Sequence, residues 1–223
     1  AFIPEWGRIH AMMQFNMYHH YTVDEHTIRA VSILNGIERG RLVEDLPVAS
    51  GILDQGVDRT ALYVALLLHD IGKGQERDHS EVGEEIAREV CPRLGLDDAQ
   101  TDTVCWLIRH HLLMSDVAQK RDISDPVTVR AFADEVRTPS RLNLLLVLTA
   151  CDIMAVGPGV WNNWKAQLLR TLHRRTREAL TGGAGGLSGV DRLREAQEAL
   201  RAALTEDGWT EAEIEREIDR HYA

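Results

Sequence analysis

Apolar residues recur at helical spacing along almost the whole chain, and this periodicity limits the possible folds more than any other feature. Almost no stretch alternates apolar and polar residues as a half-buried strand does. Helix-start signals support the pattern: Asp58 caps the apolar run ALYVALLLHD, Asp78 opens the next segment, and Pro126 stands in a first turn. The sequence therefore predicts an all-α protein, a helical bundle with a C-terminal helical appendage.

Two of the predicted helices carry specific expectations about their buried faces. The segment 23–40 is read as one helix that ends at Gly40, with four residues near one apolar face: Ile28, Val31, Ile33 and Ile37. The segment 96–114, LDDAQTDTVCWLIRHHLLM, is read as a single helix with four residues pointing inward: Val104, Leu107, Ile108 and Leu112.

One glycine-rich stretch, TGGAGGLSG, is the clear flexible break in the chain. We predict a core domain over 1–181, a Gly-rich linker over 182–189 and a helical appendage over 187–223. The first residue is Ala, so we expect the chain to be a piece of a longer protein.

Composition excludes several classes of protein. The formal net charge of −10 argues against non-specific nucleic-acid binding and against a polybasic membrane anchor. The longest apolar runs are too short to span a bilayer. The three cysteines are an odd number with wide spacing (Cys91, Cys105, Cys151), which indicates neither a disulfide framework nor a zinc ribbon. A reducing, cytoplasmic compartment is expected.

Histidines and aspartates recur on or beside the apolar helices. A His-Asp pair at the end of an apolar helix is costly to bury without partners. Helices of one bundle can turn such side chains into one cleft. Imidazole and carboxylate together bind Mn²⁺, Fe²⁺, Zn²⁺ or Mg²⁺. Seven candidate ligands are more than one tetrahedral zinc ion can bind, and their number fits two divalent ions that share a bridging carboxylate. The candidates are His26, His69, Asp70, His79, His110, His111 and Asp152.

Paired ions suit phosphoryl chemistry. Two ions about 3.5–4 Å apart clamp the phosphoryl oxygens of an in-line attack, so no Ser or Cys nucleophile is required. Asp70 is the candidate bridge, because its neighbour His69 can bind one ion only. Lys73 follows one turn later and can neutralise charge that builds on a phosphate oxygen. The catalytic candidates are therefore Lys73 and Asp70.

The remaining histidines have ordinary interpretations. Three are read as structural or surface residues: His10, His173 and His221. His19 and His20 are read as structural, with a place beside the metal ligands or the substrate left open.

The ordered set of histidines and aspartates resembles the HD superfamily of metal-dependent phosphohydrolases, and HDIGK is similar to its core signature. The resemblance implies that one ion takes His26, His69, Asp70 and Asp152. It implies that the other ion takes Asp70, His79, His110 and His111. Longer strings, including HHLLMSDVAQKRDISDP and DIMAVGPGVWNNWK, are similar to the HD domains of bifunctional PII uridylyltransferase/uridylyl-removing enzymes, from about residue 3 to about 180.

This closer resemblance implies a specific activity. It implies hydrolysis of a phosphodiester that removes UMP from a tyrosine of the uridylylated PII protein, with two divalent ions. Mn²⁺ or Mg²⁺ is expected, and Fe²⁺ and Zn²⁺ stay open as alternatives. No nucleotidyltransferase motif and no ligand-sensing ACT domain is found in these 223 residues, so only the hydrolytic half is expected. Two alternatives stay open: an HD phosphohydrolase acting on a free or signalling nucleotide, and a non-catalytic regulatory module.

Overall fold

The computed structural model describes residues 3–13 and 20–182 and four separate residues beyond them: Arg201, Leu204, Trp209 and Ile214. Within the described residues the chain is helical and contains no strand, which confirms the all-α prediction. Between residues 3 and 182, in the described part of the chain, a short 3₁₀-helix, Pro4–Arg8, precedes nine α-helices: α1 (Val23–Glu38), α2 (Pro47–Asp54), α3 (Arg59–Leu68), α4 (His79–Arg93), α5 (Asp98–Arg109), α6 (Leu113–Lys120), α7 (Pro126–Val136), α8 (Pro139–Ala155) and α9 (Asn163–Leu180).

Helix α8 is the centre of the bundle. It packs against α1, α2, α3, α5, α6, α7 and α9. Leucines on several sides of it, among them Leu142, Leu145 and Leu148, are fully buried. A helix that is apolar almost all round is stable only when neighbours surround it, so the sequence LNLLLVLTA places α8 at the core.

The predicted helix starts are confirmed by their caps. The Asp58 carboxylate accepts the Ala61 N–H at 2.9 Å and so begins α3. The Asp78 carboxylate accepts the N–H groups of Ser80 and Glu81 and begins α4. Such caps satisfy backbone donors that have no partner within the helix.

Two expectations about buried faces are wrong. Residues 96–114 do not form one helix, because α5 ends at Arg109 and α6 begins at Leu113. The break turns Leu112 outward, leaving it 41% exposed. In α1 the buried stripe includes Ala30, Leu34 and Ile37, and Ile28 lies off this stripe, 55% exposed.

The chain divides into two compact units, Ala1–Leu180 and Thr181–Ala223. In the second unit the backbone is helical at Arg201, Leu204 and Ile214. The predicted linker over 182–189 and the appendage over 187–223 otherwise lie outside the described residues. None of the described helices has both the length and the apolar character needed to cross a membrane.

Candidate metal centre

Six of the predicted ligands come from helix ends that meet inside the first unit. His26 lies in the first turn of α1, His79 is the first residue of α4, and Asp152 lies in the last turn of α8. The other three follow helices directly: His69 and Asp70 follow α3, and His111 follows α5 by two residues. Backbone groups at the end of a helix lie outside its regular hydrogen-bond pattern. A side chain there can therefore point away from the helix axis.

One group of potential ligands, called site A, consists of His26, His69 and Asp152. Their ligand atoms all lie within 4.8 Å of one another. The Nε2 atoms of His26 and His69 are 3.2 Å apart. Asp152 Oδ1 is 2.9 Å from His26 Nε2 and 3.6 Å from His69 Nε2.

A second group, called site B, consists of Asp70, His79 and His111, whose ligand atoms also lie within 4.8 Å of one another. The Nε2 atoms of His79 and His111 are 3.3 Å apart. Asp70 Oδ1 is 3.9 Å from His79 Nε2 and 3.8 Å from His111 Nε2.

Asp70 stands between the two sites. Its Oδ1 faces site B, while its Oδ2 lies 3.4 Å from His69 Nε2 and 3.8 Å from His26 Nε2 in site A. The residue is only 2% exposed, so water cannot solvate this carboxylate freely. One oxygen for each site is the arrangement that a bridging ligand requires.

Hydrogen bonds fix the orientation of two imidazoles. His69 Nδ1 and His111 Nδ1 each lie 2.7 Å from a backbone carbonyl oxygen, of Leu66 and Ile108 respectively, and so donate their N–H groups to it. A neutral ring that donates from Nδ1 has a lone pair on Nε2. Outer hydrogen bonds of this kind are typical of metal-binding histidines.

The donor set fits a pair of divalent metal ions. Nitrogen ligands about 2.1 Å from one ion lie roughly 3–3.4 Å apart, as the Nε2 pairs of both sites do. Mixed imidazole and carboxylate ligands suit Mn²⁺, Mg²⁺, Fe²⁺ and Zn²⁺. The spacing and the chemistry of the residues are therefore those of a metal centre.

Two ionised carboxylates, Asp70 and Asp152, are buried at the centre. Burial opposes ionisation of Asp70, yet His69 and Lys73 hold its pKa below the usual value. Burial likewise opposes ionisation of Asp152, and hydrogen bonds from His26 and His69 hold its pKa well below the usual value. Lys73 Nζ lies 2.7 Å from Asp70 Oδ2 and offsets one charge. Buried carboxylates are costly without cations, so the centre favours bound cations.

The histidines differ in their ease of protonation. Burial lowers the pKa of His69, but the carboxylates of Asp70 and Asp152 raise it to about 9. Burial, with His69 as a second cause, lowers the pKa of His111 to about 4. Burial also lowers the pKa of His79. The two imidazoles of site B are therefore neutral at pH 7, the form that binds metal.

Two glycines that were not foreseen as functional place His79 beside Asp70. A Cβ atom on Gly72 would lie 2.2 Å from the His79 carbonyl oxygen and 2.7 Å from the Gly83 nitrogen. A Cβ on Gly83 would lie 2.9 Å from Ile108 Cγ2. The loop after α3 therefore crosses the start of α4 at backbone contact distance. The strings HDIG and HSEVG contained this signal, since glycine permits such close approach.

The structure does not bring His110 to either site. Its Nε2 lies 2.8 Å from Glu135 Oε1, and its ring stacks on Trp106 at 4.7 Å between centroids. Neither Glu135 nor Trp106 was singled out from the sequence.

The other histidines in the described residues have their own partners. His10 Nδ1 pairs with Asp24 at 2.9 Å, and His173 Nε2 donates to Asn143 Oδ1 at 2.8 Å. His20 packs against Gly157, where a Cβ would lie 2.2 Å from the imidazole Cδ2. His19 and His221 lie outside the described residues.

Comparison with known proteins identifies the class to which this fold and centre correspond. The HD domain profile matches residues 23–138, more than half of the chain, and five of the six clustered ligands lie in that span. The chain therefore belongs to the HD domain family, as its motifs indicated.

Its relatives narrow the family. The chain is 61% identical, over 222 residues, to a bifunctional uridylyltransferase/uridylyl-removing enzyme of Ruegeria pomeroyi. It is 60% identical over 222 residues to the enzyme of the same name from Cereibacter sphaeroides. Both alignments cover the whole chain but only 24% of the relative, so the chain spans about a quarter of the length of these relatives.

Proposed function

We propose that this chain is a metal-dependent phosphohydrolase that removes UMP from a uridylylated tyrosine of the PII nitrogen-signalling protein. The names of its relatives include a uridylyl-removing activity, and the part of this chain that aligns with them contains the HD domain. The substrate and the partner come from this likeness. The hydrolytic chemistry is supported by the centre itself.

The observation that carries the proposal is the position of Asp70. One carboxylate oxygen faces the imidazoles of site A, and the other faces those of site B. This favours two ions per chain, Mn²⁺ or Mg²⁺, with Fe²⁺ or Zn²⁺ as alternatives. The proposed ligands are the six clustered residues: His26, His69, Asp70, His79, His111 and Asp152. The family resemblance adds His110 to the ligands of the second ion.

Bound divalent ions would supply Lewis acidity toward phosphoryl oxygens and would lower the pKa of water. The chain's own part is to hold the ligands rigidly and to balance charge. The Lys73 ammonium has three N–H donors and forms an ion pair with Asp70 Oδ2 at 2.7 Å. It can also donate to a phosphate oxygen as the charge on that oxygen increases. The tyrosine leaves as a phenolate, whose solution pKa of about 10 makes it a fair leaving group.

A turnover assay tests the proposal. Purified protein is mixed with uridylylated PII and Mn²⁺, and released UMP is quantified with and without a chelator. We expect UMP release that the chelator abolishes. Lys73→Met should lower the rate because the phosphate loses a cationic partner, while Lys120→Met serves as its matched control. Lys120 is an exposed lysine that also pairs with an aspartate at 2.7 Å.

Two different results would contradict two different parts of the proposal. Two bound ions with no release of UMP, and with hydrolysis of a small phosphodiester instead, would replace the PII substrate by another phosphate ester. Tight metal binding without turnover of any phosphodiester would refute the enzymatic proposal and favour a regulatory module.

A further inference from the structure

The metal centre opens to solvent at three of its side chains. Asp152 of site A, His79 of site B and Lys73 are each partly exposed. The ligands His69 and His111 are buried behind them. A substrate therefore reaches the ions past the exposed side chains, and residues that flank these three can contact the part of the substrate that extends outward.

His20 lies beside the helix end that carries Asp152. Its backbone N–H donates to the Val156 carbonyl oxygen at 3.3 Å, and Val156 follows α8 directly, four residues after Asp152. One helical turn and one hydrogen bond place His20 on the order of 10 Å from Asp152. His20 also precedes Thr22, the N-cap of α1, whose carbonyl accepts the N–H of the ligand His26 at 2.8 Å. Both α1 and α8 thus hold His20 next to site A.

The His20 imidazole is packed in place without a hydrogen bond. Its Cδ2–Nε2 edge lies against Gly157, where a Cβ atom would clash with Cδ2 and lie 3.1 Å from Nε2. The residue is exposed, and neither ring nitrogen has a hydrogen-bond partner among residues 3–13 and 20–182. Glycine permits the close packing, which orients the ring while Nδ1, on its far edge, stays available to a ligand.

This arrangement suits a hydroxyl group. A neutral imidazole donates from one nitrogen and accepts at the other, and a hydroxyl can do both, so the contact forms with either tautomer. In the proposed substrate the phosphate lies at the ions, and the nucleoside extends from it by several bonds. The ribose hydroxyls are therefore within the range of a residue that stands one helical turn from a metal ligand.

We propose that His20 binds the nucleoside of the substrate, through a hydrogen bond between Nδ1 and a ribose hydroxyl, and that Gly157 leaves the space its ring needs. His20 then determines specificity, because it distinguishes a nucleotidyl ester from a simple phosphate ester. This inference rests on the proposed function, since the ions must hold the phosphate for the nucleoside to reach His20.

The first arm of the test compares three ligands by calorimetry on the Mn²⁺-loaded protein: UMP, phenyl phosphate and inorganic phosphate. His20→Ala should raise the dissociation constant of UMP about fivefold, the usual effect of losing one hydrogen bond, and leave the other two unchanged. His20→Asn should keep most of the affinity, because its amide nitrogen lies near the position of Nδ1. An equal loss for all three ligands, or a loss for phenyl phosphate alone, would overturn the inference.

The second arm tests the packing on Gly157. Gly157→Ala should weaken UMP binding by a similar factor, because the new methyl group displaces the ring. In the double variant with His20→Ala the effect of Gly157→Ala should vanish, since there is no ring left to displace. Independent, additive losses would overturn the inference.

Matched controls exist in the chain. His10→Ala removes another exposed histidine of the N-terminal segment, and Gly51→Ala adds a methyl group where nothing lies within 4 Å. Neither should change UMP affinity. Bound Mn²⁺ per chain and far-UV circular dichroism, measured for every variant, show that the protein is folded and loaded.

Failure of this inference differs from failure of the proposed function. Unchanged UMP affinity in His20→Ala, with wild type binding UMP, would overturn the inference and leave the metal centre intact. Wild-type protein that binds no Mn²⁺ would refute the proposed function, and this inference with it.

Discussion

Asp70 combines a structural and a chemical role because of where its two oxygens point. A buried carboxylate is costly, and the protein offsets this one with Lys73 and with the imidazoles on both sides. Only an acidic side chain can offer one negative oxygen to each of two ions. The neighbouring His69 has only its Nε2 to offer to an ion, because its Nδ1 donates to the Leu66 carbonyl.

We expect Asp70→Asn to weaken Mn²⁺ binding at both sites by at least about 100-fold, since an amide has one weakly basic oxygen and no charge. Calorimetric titration with Mn²⁺ measures this. Asp116→Asn is the control, because Asp116 is an exposed aspartate that also pairs with a lysine at 2.7 Å. If Asp70→Asn kept one site at wild-type affinity, Asp70 would not be the bridge.

His173 gives the protein a pH-dependent stability away from the metal centre. Burial, and secondly Arg177, lower the pKa of His173 to about 4, against about 6.5 in an unfolded chain. At pH values between these two pKa values, His173 binds a proton in the unfolded chain but not in the folded one. The free energy of unfolding therefore falls as the pH drops from about 6.5 to about 4.

We expect this residue to account for up to about 3 kcal/mol of that loss. His173→Gln can keep the hydrogen bond to Asn143 but does not titrate. Urea unfolding of both proteins at several pH values between 7 and 4 isolates the contribution as the difference between their profiles. Parallel profiles would contradict it.

At the scale of elements, the crossing of the α3–α4 loop over the start of α4 decides the position of site B. Gly72 lets the loop touch the backbone of α4, so that His79, the first residue of α4, faces Asp70, and Gly83 leaves room for the Ile108 side chain. The cap at Asp78 fixes where α4 begins, and with it the direction of the His79 side chain.

Gly72→Ala should therefore cost about 1–3 kcal/mol of stability and remove the second Mn²⁺ ion, because the new methyl group forces the crossing apart. Gly51→Ala in α2 is the control: its Cβ meets nothing within 4 Å, and it should gain about 0.5–1 kcal/mol. Urea unfolding and bound Mn²⁺ per chain report both effects. A Gly72→Ala protein that binds two ions and has wild-type stability would contradict this prediction. It would show that the loop and α4 can move apart at little cost.

The break between α5 and α6 is the second decisive element. A continuous helix would rotate His111 by about 100° from His110 and carry both along one axis. The chain instead leaves the helix at His110, and His111 turns inward to face His79 while His110 faces Glu135. Two adjacent histidines thereby receive different partners.

At the scale of the whole molecule, the metal centre ties together the ends of α1, α3, α4, α5 and α8. The ligands span the chain from His26 to Asp152, so the full set comes together only in the folded state. An ion that binds only the folded state stabilises it by mass action.

Each site saturated at about 100 times its dissociation constant should add about 2.7 kcal/mol. We expect Mn²⁺ to raise the melting temperature by about 5–10 °C per site, with reversal by a chelator. Scanning calorimetry with and without Mn²⁺ measures the shift, and Asp70→Asn should show little of it. If the melting temperature of the wild type did not depend on Mn²⁺, this would contradict the proposal that the centre binds metal ions.

The fold class, several helix starts and most of the candidate ligands could be predicted from local patterns in the sequence. Helical periodicity predicted the all-α class, Asp58 and Asp78 predicted the starts of α3 and α4, and Pro126 predicted the start of α7. Caps and periodicity act within a few residues. The ordered histidines and aspartates predicted six residues that the fold brings together, since their types and order are characteristic of HD domains.

Only the tertiary structure decided how those six residues divide between site A and site B. Contacts between different helices and loops decide which oxygen of Asp70 faces which site and which histidine of the doublet turns inward. They also decide why Gly72 must lack a side chain. The exposure of Ile28 and Leu112 was decided in the same way. Periodicity indicates that a helix has an apolar face, but the neighbouring helices determine which residues it covers.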